Sequence, residues 1–179
     1  VRQALTHYDI CHRGKEFEEL FADTTAKINK LFKADDTYRS MIISGSGTSS
    51  NETVLSSIFN EGEKVMLIRN GEFGGRLLEI IEKYQIPLVD CEFEWAEYPD
   101  VEKIEKIMAA DDDIKVVAMV FHETSTGMIN PVKEVGKVAA KYGKWFFVDC
   151  VSAAAGELID VVDMNITFAT SVGGKCLGA

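Results

Sequence analysis

The chain has 179 residues, 46% hydrophobic and 27% charged, with 19 Lys+Arg against 29 Asp+Glu and a net charge of −10. This composition excludes a disordered, collagenous or disulfide-stapled chain and supports a core of one domain's size. The acidic balance disfavours non-specific binding to nucleic acid or an anionic membrane; no apolar run approaches the roughly 20 residues of a membrane span, and Val1-Arg2-Gln3-Ala4 lacks a signal-peptide layout, so a soluble cytoplasmic protein is expected.

Phe17, Leu20, Phe21, Ile28, Leu31 and Phe32 recur at helical spacing and predict an amphipathic helix that ends before Asp35-Asp36. Met41-Ile42-Ile43 reads as a short strand, followed by Ser44-Gly45-Ser46-Gly47-Thr48 and a helix through Val54, Leu55 and Ile58. Strands and amphipathic helices then alternate: strand 64–69, helix 73–84, strand 87–91, helix 101–110, strand 116–121, helix 132–142, strand 145–148. Strands apolar throughout, such as Val116-Val117-Ala118-Met119-Val120-Phe121, must be covered on both faces. The fold class expected is α/β, a mostly parallel sheet flanked by helices. The cysteines Cys11, Cys91, Cys150 and Cys176 are widely separated without C-x-x-C spacing, and they read as reduced thiols rather than metal ligands or a disulfide framework.

In such sheets ligands bind beyond the carboxyl ends of the strands. The glycines of Ser44-Gly45-Ser46-Gly47-Thr48 precede a helix N-terminus, an arrangement that suits a phosphate and equally serves as a plain turn with a Ser or Thr N-cap. It is no dinucleotide fingerprint, which needs Gly in place of Ser50 and an acidic residue in place of Arg69-Asn70. A Walker loop ending at Gly174-Lys175 fails too, with Ala169 as its first position and Cys176 as its last. In Asn70-Gly71-Glu72-Phe73-Gly74-Gly75-Arg76 the Phe73 ring is free either to face a cleft or to pack on the sheet. His122-Glu123-Thr124-Ser125-Thr126-Gly127 places hydroxyls and ionisable groups at a strand end, as a ligand site or as a turn. Asp149, at the tip of an apolar strand, wants a cation or a protonated heterocycle, or else serves as a helix N-cap or in a salt bridge to a neighbouring loop. Lys175, flanked by glycines, is either a surface turn residue or an amine partly desolvated near sheet depth, nucleophilic enough for imine formation.

Phosphate cradle, aromatic plate, hydroxyl, buried carboxylate and lysine together match the needs of pyridoxal phosphate. At this point the chain resembles the class V aminotransferases of pyridoxal-phosphate fold type I. The motifs that carry the likeness are D-I-C-H-R-G-K-E-F at 9–17, S-G-S-G-T at 44–48, N-G-E-F-G-G-R at 70–76, H-E-T-S-T-G at 122–127, V-D-C-V-S at 148–152 and G-G-K-C-L-G at 173–178. The resemblance implies a three-layer αβα large domain. It implies that Lys175 carries the cofactor, Asp149 pairs with the pyridine nitrogen, Phe73 and Val151 flank the ring, Thr124 lies near the phenolic oxygen, and Ser46, Gly47 and Thr48 hold the phosphate. No metal is implied.

Within that class the motifs are most similar to the 2-aminoethylphosphonate:pyruvate transaminases. The likeness thus implies an amino donor and a keto-acid acceptor as small-molecule partners, neither nucleic acid nor membrane, and a homodimer with a shared active site. Alanine–glyoxylate or serine–pyruvate transamination, a lyase using the same cofactor, or a non-catalytic α/β module in which Asp149 and Lys175 pair are the alternatives. Relatives usually carry Asn, Gln or His where Gly174 stands, so a side chain able to touch phosphate or substrate is missing. Arg13 and Arg76 are candidate anion partners. Residues 1–179 are expected to be most of the large cofactor-binding domain, without the smaller carboxy-terminal domain and an amino-terminal loop.

Overall fold

The computed structural model of the protein describes residues 6–178. Its centre is a five-stranded sheet of β1 (Lys64–Arg69), β2 (Leu88–Glu92), β3 (Ile114–Val120), β6 (Trp145–Asp149) and β7 (Phe168–Thr170), in the order β2-β1-β3-β6-β7 with every pairing parallel. A short antiparallel hairpin, β4 (His122–Glu123) with β5 (Met128–Ile129), follows β3. The helices are α1 (Lys15–Leu31), α2 (Gly47–Leu55), α3 (Glu72–Lys83), α4 (Val101–Ala110) and α5 (Val132–Lys141).

Alternation along the strands builds two cores. Met66, Ile68, Val117, Met119, Phe146 and Val148 face one way and meet Ile104, Met108, Val135 and Ala139 of α4 and α5. Val65, Leu67, Val116, Ala118 and Phe147 face the other and meet Leu55, Leu77 and Ile81 of α2 and α3. The sheet is therefore sandwiched between helical layers, as its all-apolar strands require. On β1, Arg69 holds the edge strand with bonds of 2.9 and 2.8 Å to Asp90 and an ion pair of 2.7 Å to Glu92.

Two expectations need correction. Met41, Ile42 and Ile43 form no strand; they are exposed by 83, 45 and 40%, and no described strand runs beside them to supply ladder partners. The helix expected at the start is present as α1, yet none of its residues is fully buried, and Leu20 is 52% exposed. Its hold on the first core comes through Ile28 and the following Phe32. Among the described residues no helix is long and apolar enough to cross a membrane.

Candidate active site

The parallel strands bring their carboxyl ends to one rim, and the chain reverses its direction of travel across the sheet between β1 and β3, since β2 lies on one side of β1 and β3 on the other. That is the place where open α/β sheets bind ligands.

Asp149 ends β6 there and is only 5% exposed. Its Oδ1 accepts from the Val151 N–H at 2.8 Å and its Oδ2 from the Asn51 Nδ2 at 2.6 Å. Asn51, itself buried, has its carbonyl oxygen occupied by the Thr170 hydroxyl at 2.5 Å. Burial pushes the Asp149 carboxyl above its ordinary value of 3.8; the bonds from Val151 and Asn51 oppose that rise, the nearby Glu123 adds to it and Arg76 subtracts from it. No ion pair involves Asp149 among the described residues.

The Ser44–Thr48 turn leads into α2 and is seated on this carboxylate's loop. Ser46 caps α2, its Oγ accepting from the Ser49 N–H at 3.2 Å while Ser49 Oγ accepts in return from the Ser46 N–H. Gly47 is required by close approach, because a Cβ there would stand 2.7 Å from Val151 Cγ2. Thr48, half-buried, lines a cleft of about 420 Å³ between α2 and α3 together with Arg76.

Across the rim, α3 begins under Glu123, which is fully buried. Its carboxylate accepts from the N–H groups of Phe73 at 3.3 Å and Gly74 at 3.0 Å and from the Ser125 hydroxyl, while Ser125 Oγ accepts from the Glu72 N–H at 3.0 Å. A carboxylate at a helix N-terminus answers both the free N–H groups and the dipole. Phe73, left open between cleft and core by its sequence, is half-buried against the α2–α3 core, with the Arg76 guanidinium 5.3 Å from its ring centroid. Thr124 is exposed in the turn that follows Glu123.

Lys175 lies in an irregular turn, Gly173–Leu177, reached from β7. It is exposed, the surface-turn alternative of the two the sequence left open, and a Cβ on Gly174 would meet nothing within 4 Å. The turn is tied to the loop after Asp149, with Cys176 Sγ 3.8 Å from the Ser152 carbonyl. Ser171 Oγ, on the same connection, is buried without a hydrogen-bond partner among the described residues. Cys150 and Cys91 are buried with thiols pushed well up and up to about 11, respectively, by desolvation, so neither is a ready nucleophile.

The structure thus gathers Gly47, Asp149, Val151 and the Lys175 turn on one side of the rim and Phe73 with Thr124 on the other. Asn51, Thr170, Glu123 and Ser171 were missed as site residues. For Asn51 a signal existed: it stands four residues after Gly47 on a helix, hence on the same face. A buried carboxyl with no ion pair among the described residues, a helix start packed against its loop, a buried hydroxyl and an exposed lysine fit the nitrogen, phosphate, polar substituents and aldehyde of pyridoxal phosphate.

Residues 2–179 match the family model described as Aminotransferase class-V. The chain is 36% identical over 171 residues to an uncharacterized aminotransferase of Methanocaldococcus jannaschii, covering 95% of this chain and 44% of that protein. It is 34% identical over 171 residues to a 2-aminoethylphosphonate–pyruvate transaminase of Bacillus cereus, covering 95% and 50%. In three dimensions it is similar to the ureidoglycine–glyoxylate aminotransferase of Bacillus subtilis, with a TM-score of 0.93 at 28% identity over 98% of this chain and 45% of that one. The chain therefore spans about half the length of these relatives. Matched by that family model from its second residue to its last, the chain belongs to the class-V aminotransferases.

Proposed function

We propose that residues 1–179 are the cofactor-binding domain of a pyridoxal-phosphate-dependent transaminase, a homodimer that passes the amino group of 2-aminoethylphosphonate to pyruvate. The products are phosphonoacetaldehyde and alanine. The observation that carries the reading is the buried, hydrogen-bonded Asp149 at the strand rim with the Lys175 turn tied to its loop. The choice of donor is supported by the motifs at 9–17 and 122–127 and by the Bacillus cereus relative.

When bound, pyridoxal phosphate supplies an aldehyde for amines and a ring that withdraws electrons from the substrate carbon. In this reading Ser46, Gly47 and Thr48 bind its phosphate at the start of α2. Asp149 holds the ring nitrogen's proton, Phe73 and Val151 hold the ring between them, and Thr124 donates to the phenolic oxygen. Lys175 Nζ would hold the group until the substrate's amine displaces it, and the freed amine would then serve as general base toward the substrate carbon and as general acid in return.

In the full-length protein, borohydride is expected to trap a cofactor–lysine linkage that Lys175→Ala lacks, with turnover reduced by at least about a hundredfold. A variant that kept both would refute the assignment. Paired assays of 2-aminoethylphosphonate with pyruvate against alanine or serine with glyoxylate test the substrates. Turnover confined to the glyoxylate pairs, the acceptor named for the Bacillus subtilis enzyme, would refute the donor while leaving the cofactor reading intact.

A further inference from the structure

We propose that Asn51, held in place by Thr170, is a positioning residue that aims the Asp149 carboxyl at the cofactor's ring nitrogen, so that it sets the protein's preference for a pyridine over a carbocyclic cofactor ring. The inference rests on the cofactor reading above and extends it to residues outside the motifs that carry it.

Asp149 is buried, and a buried carboxylate is disfavoured as an anion unless donors face it. It has two, one for each oxygen. The Val151 N–H is a backbone donor next to the strand end and comes with the turn itself. The Asn51 amide comes from another element, 98 residues away in sequence, and makes the shorter bond at 2.6 Å. An amide can present either its NH₂ or its carbonyl, and here the choice is settled by chemistry. The Asp149 carboxylate can only accept, so Nδ2 points at it and Oδ1 is left to accept from the Thr170 hydroxyl; a flipped amide would set carbonyl oxygen against carboxylate. Thr170 is the residue paired with Asp149 across β6 and β7, so the three groups close a ring over two strands and a helix. Each Asp149 oxygen has a second lone pair, and one of these remains for the ligand's N–H.

Without Asn51 the carboxyl keeps one donor in a dry site and takes up a proton in place of its charge. A neutral carboxyl can give its O–H to a bare ring nitrogen but does not hold that nitrogen protonated, so nitrogen keeps less of its advantage over a ring carbon. Loss of a buried hydrogen bond to a charged group corresponds to about a tenfold change in an equilibrium or more.

The test is equilibrium binding of pyridoxal phosphate and of its 1-deaza analogue, whose ring nitrogen is replaced by carbon, to the full-length protein. The unaltered protein should hold pyridoxal phosphate at least about tenfold more tightly than the analogue. Asn51→Ala should lose most of that preference by weakening pyridoxal phosphate alone. Thr170→Val should lose part of it and Thr170→Ser should restore it, which keeps the question answerable if Asn51→Ala fails to fold. Equal weakening of both ligands, or an undiminished preference in Asn51→Ala and Thr170→Val, would overturn the role of Asn51 and leave the cofactor reading standing. Failure of the unaltered protein to bind either ligand would overturn the cofactor reading, and the proposal with it.

Discussion

Asp149 shows how one residue's environment becomes a property that can be titrated. Burial raises its carboxyl above the ordinary 3.8, so the folded protein retains this proton at pH values where the unfolded chain has lost it. Stability contributed by the neutral form is therefore present at low pH and is lost as pH rises from about 3.8 through the folded-state value. Measured as the difference between the cofactor-free protein and its Asp149→Asn variant in urea unfolding at stepped pH, the unaltered protein should lose stability relative to the variant across that window. A difference that grew in its favour with pH would contradict the burial argument. Asp149 and Gly47 stood out in the sequence because strand tips and glycine turns announce themselves locally, whereas Val151 entered only through the family resemblance. Asn51 and Thr170 were not, because the bond that joins them spans 119 residues and only the folded sheet creates it.

At the scale of elements, the start of α3 depends on a residue of the hairpin. Glu123→Gln keeps the shape but turns an acceptor oxygen into a donor facing N–H groups at Phe73 and Gly74. It should cost about 1–3 kcal/mol, read as a fall of several degrees in the thermal midpoint, and should loosen Phe73. An unchanged midpoint would mean that α3 starts without this cap. The strand at 64–69 and the helix at 101–110 stand as their hydrophobic patterns predict, because both bury a continuous apolar face. The β4–β5 hairpin did not show in the pattern, since two-residue strands carry no period. Met41-Ile42-Ile43 misled for the opposite reason: apolar composition favours burial, yet all three stay exposed and Met41 most of all.

For the whole molecule, the two cores are closed but the surface is uneven. The exposed Leu20 of α1 and Met41 add to an apolar surface of the kind that associates. The 179-residue chain on its own should self-associate with concentration in sedimentation velocity. Leu20→Lys with Met41→Lys should weaken that association at least about threefold while changing unfolding free energy by no more than about 0.5 kcal/mol per site. Association unaffected by both changes would place the sticky surface elsewhere. The edge strand β2 bears on which surface that is. Its outer ladder groups are a template for another strand, yet Asp90 and Glu92 stand on it, gathered by Arg69. A second copy approaching this edge would bring carboxylates against carboxylates, so strand-to-strand growth into fibrils is discouraged on this side.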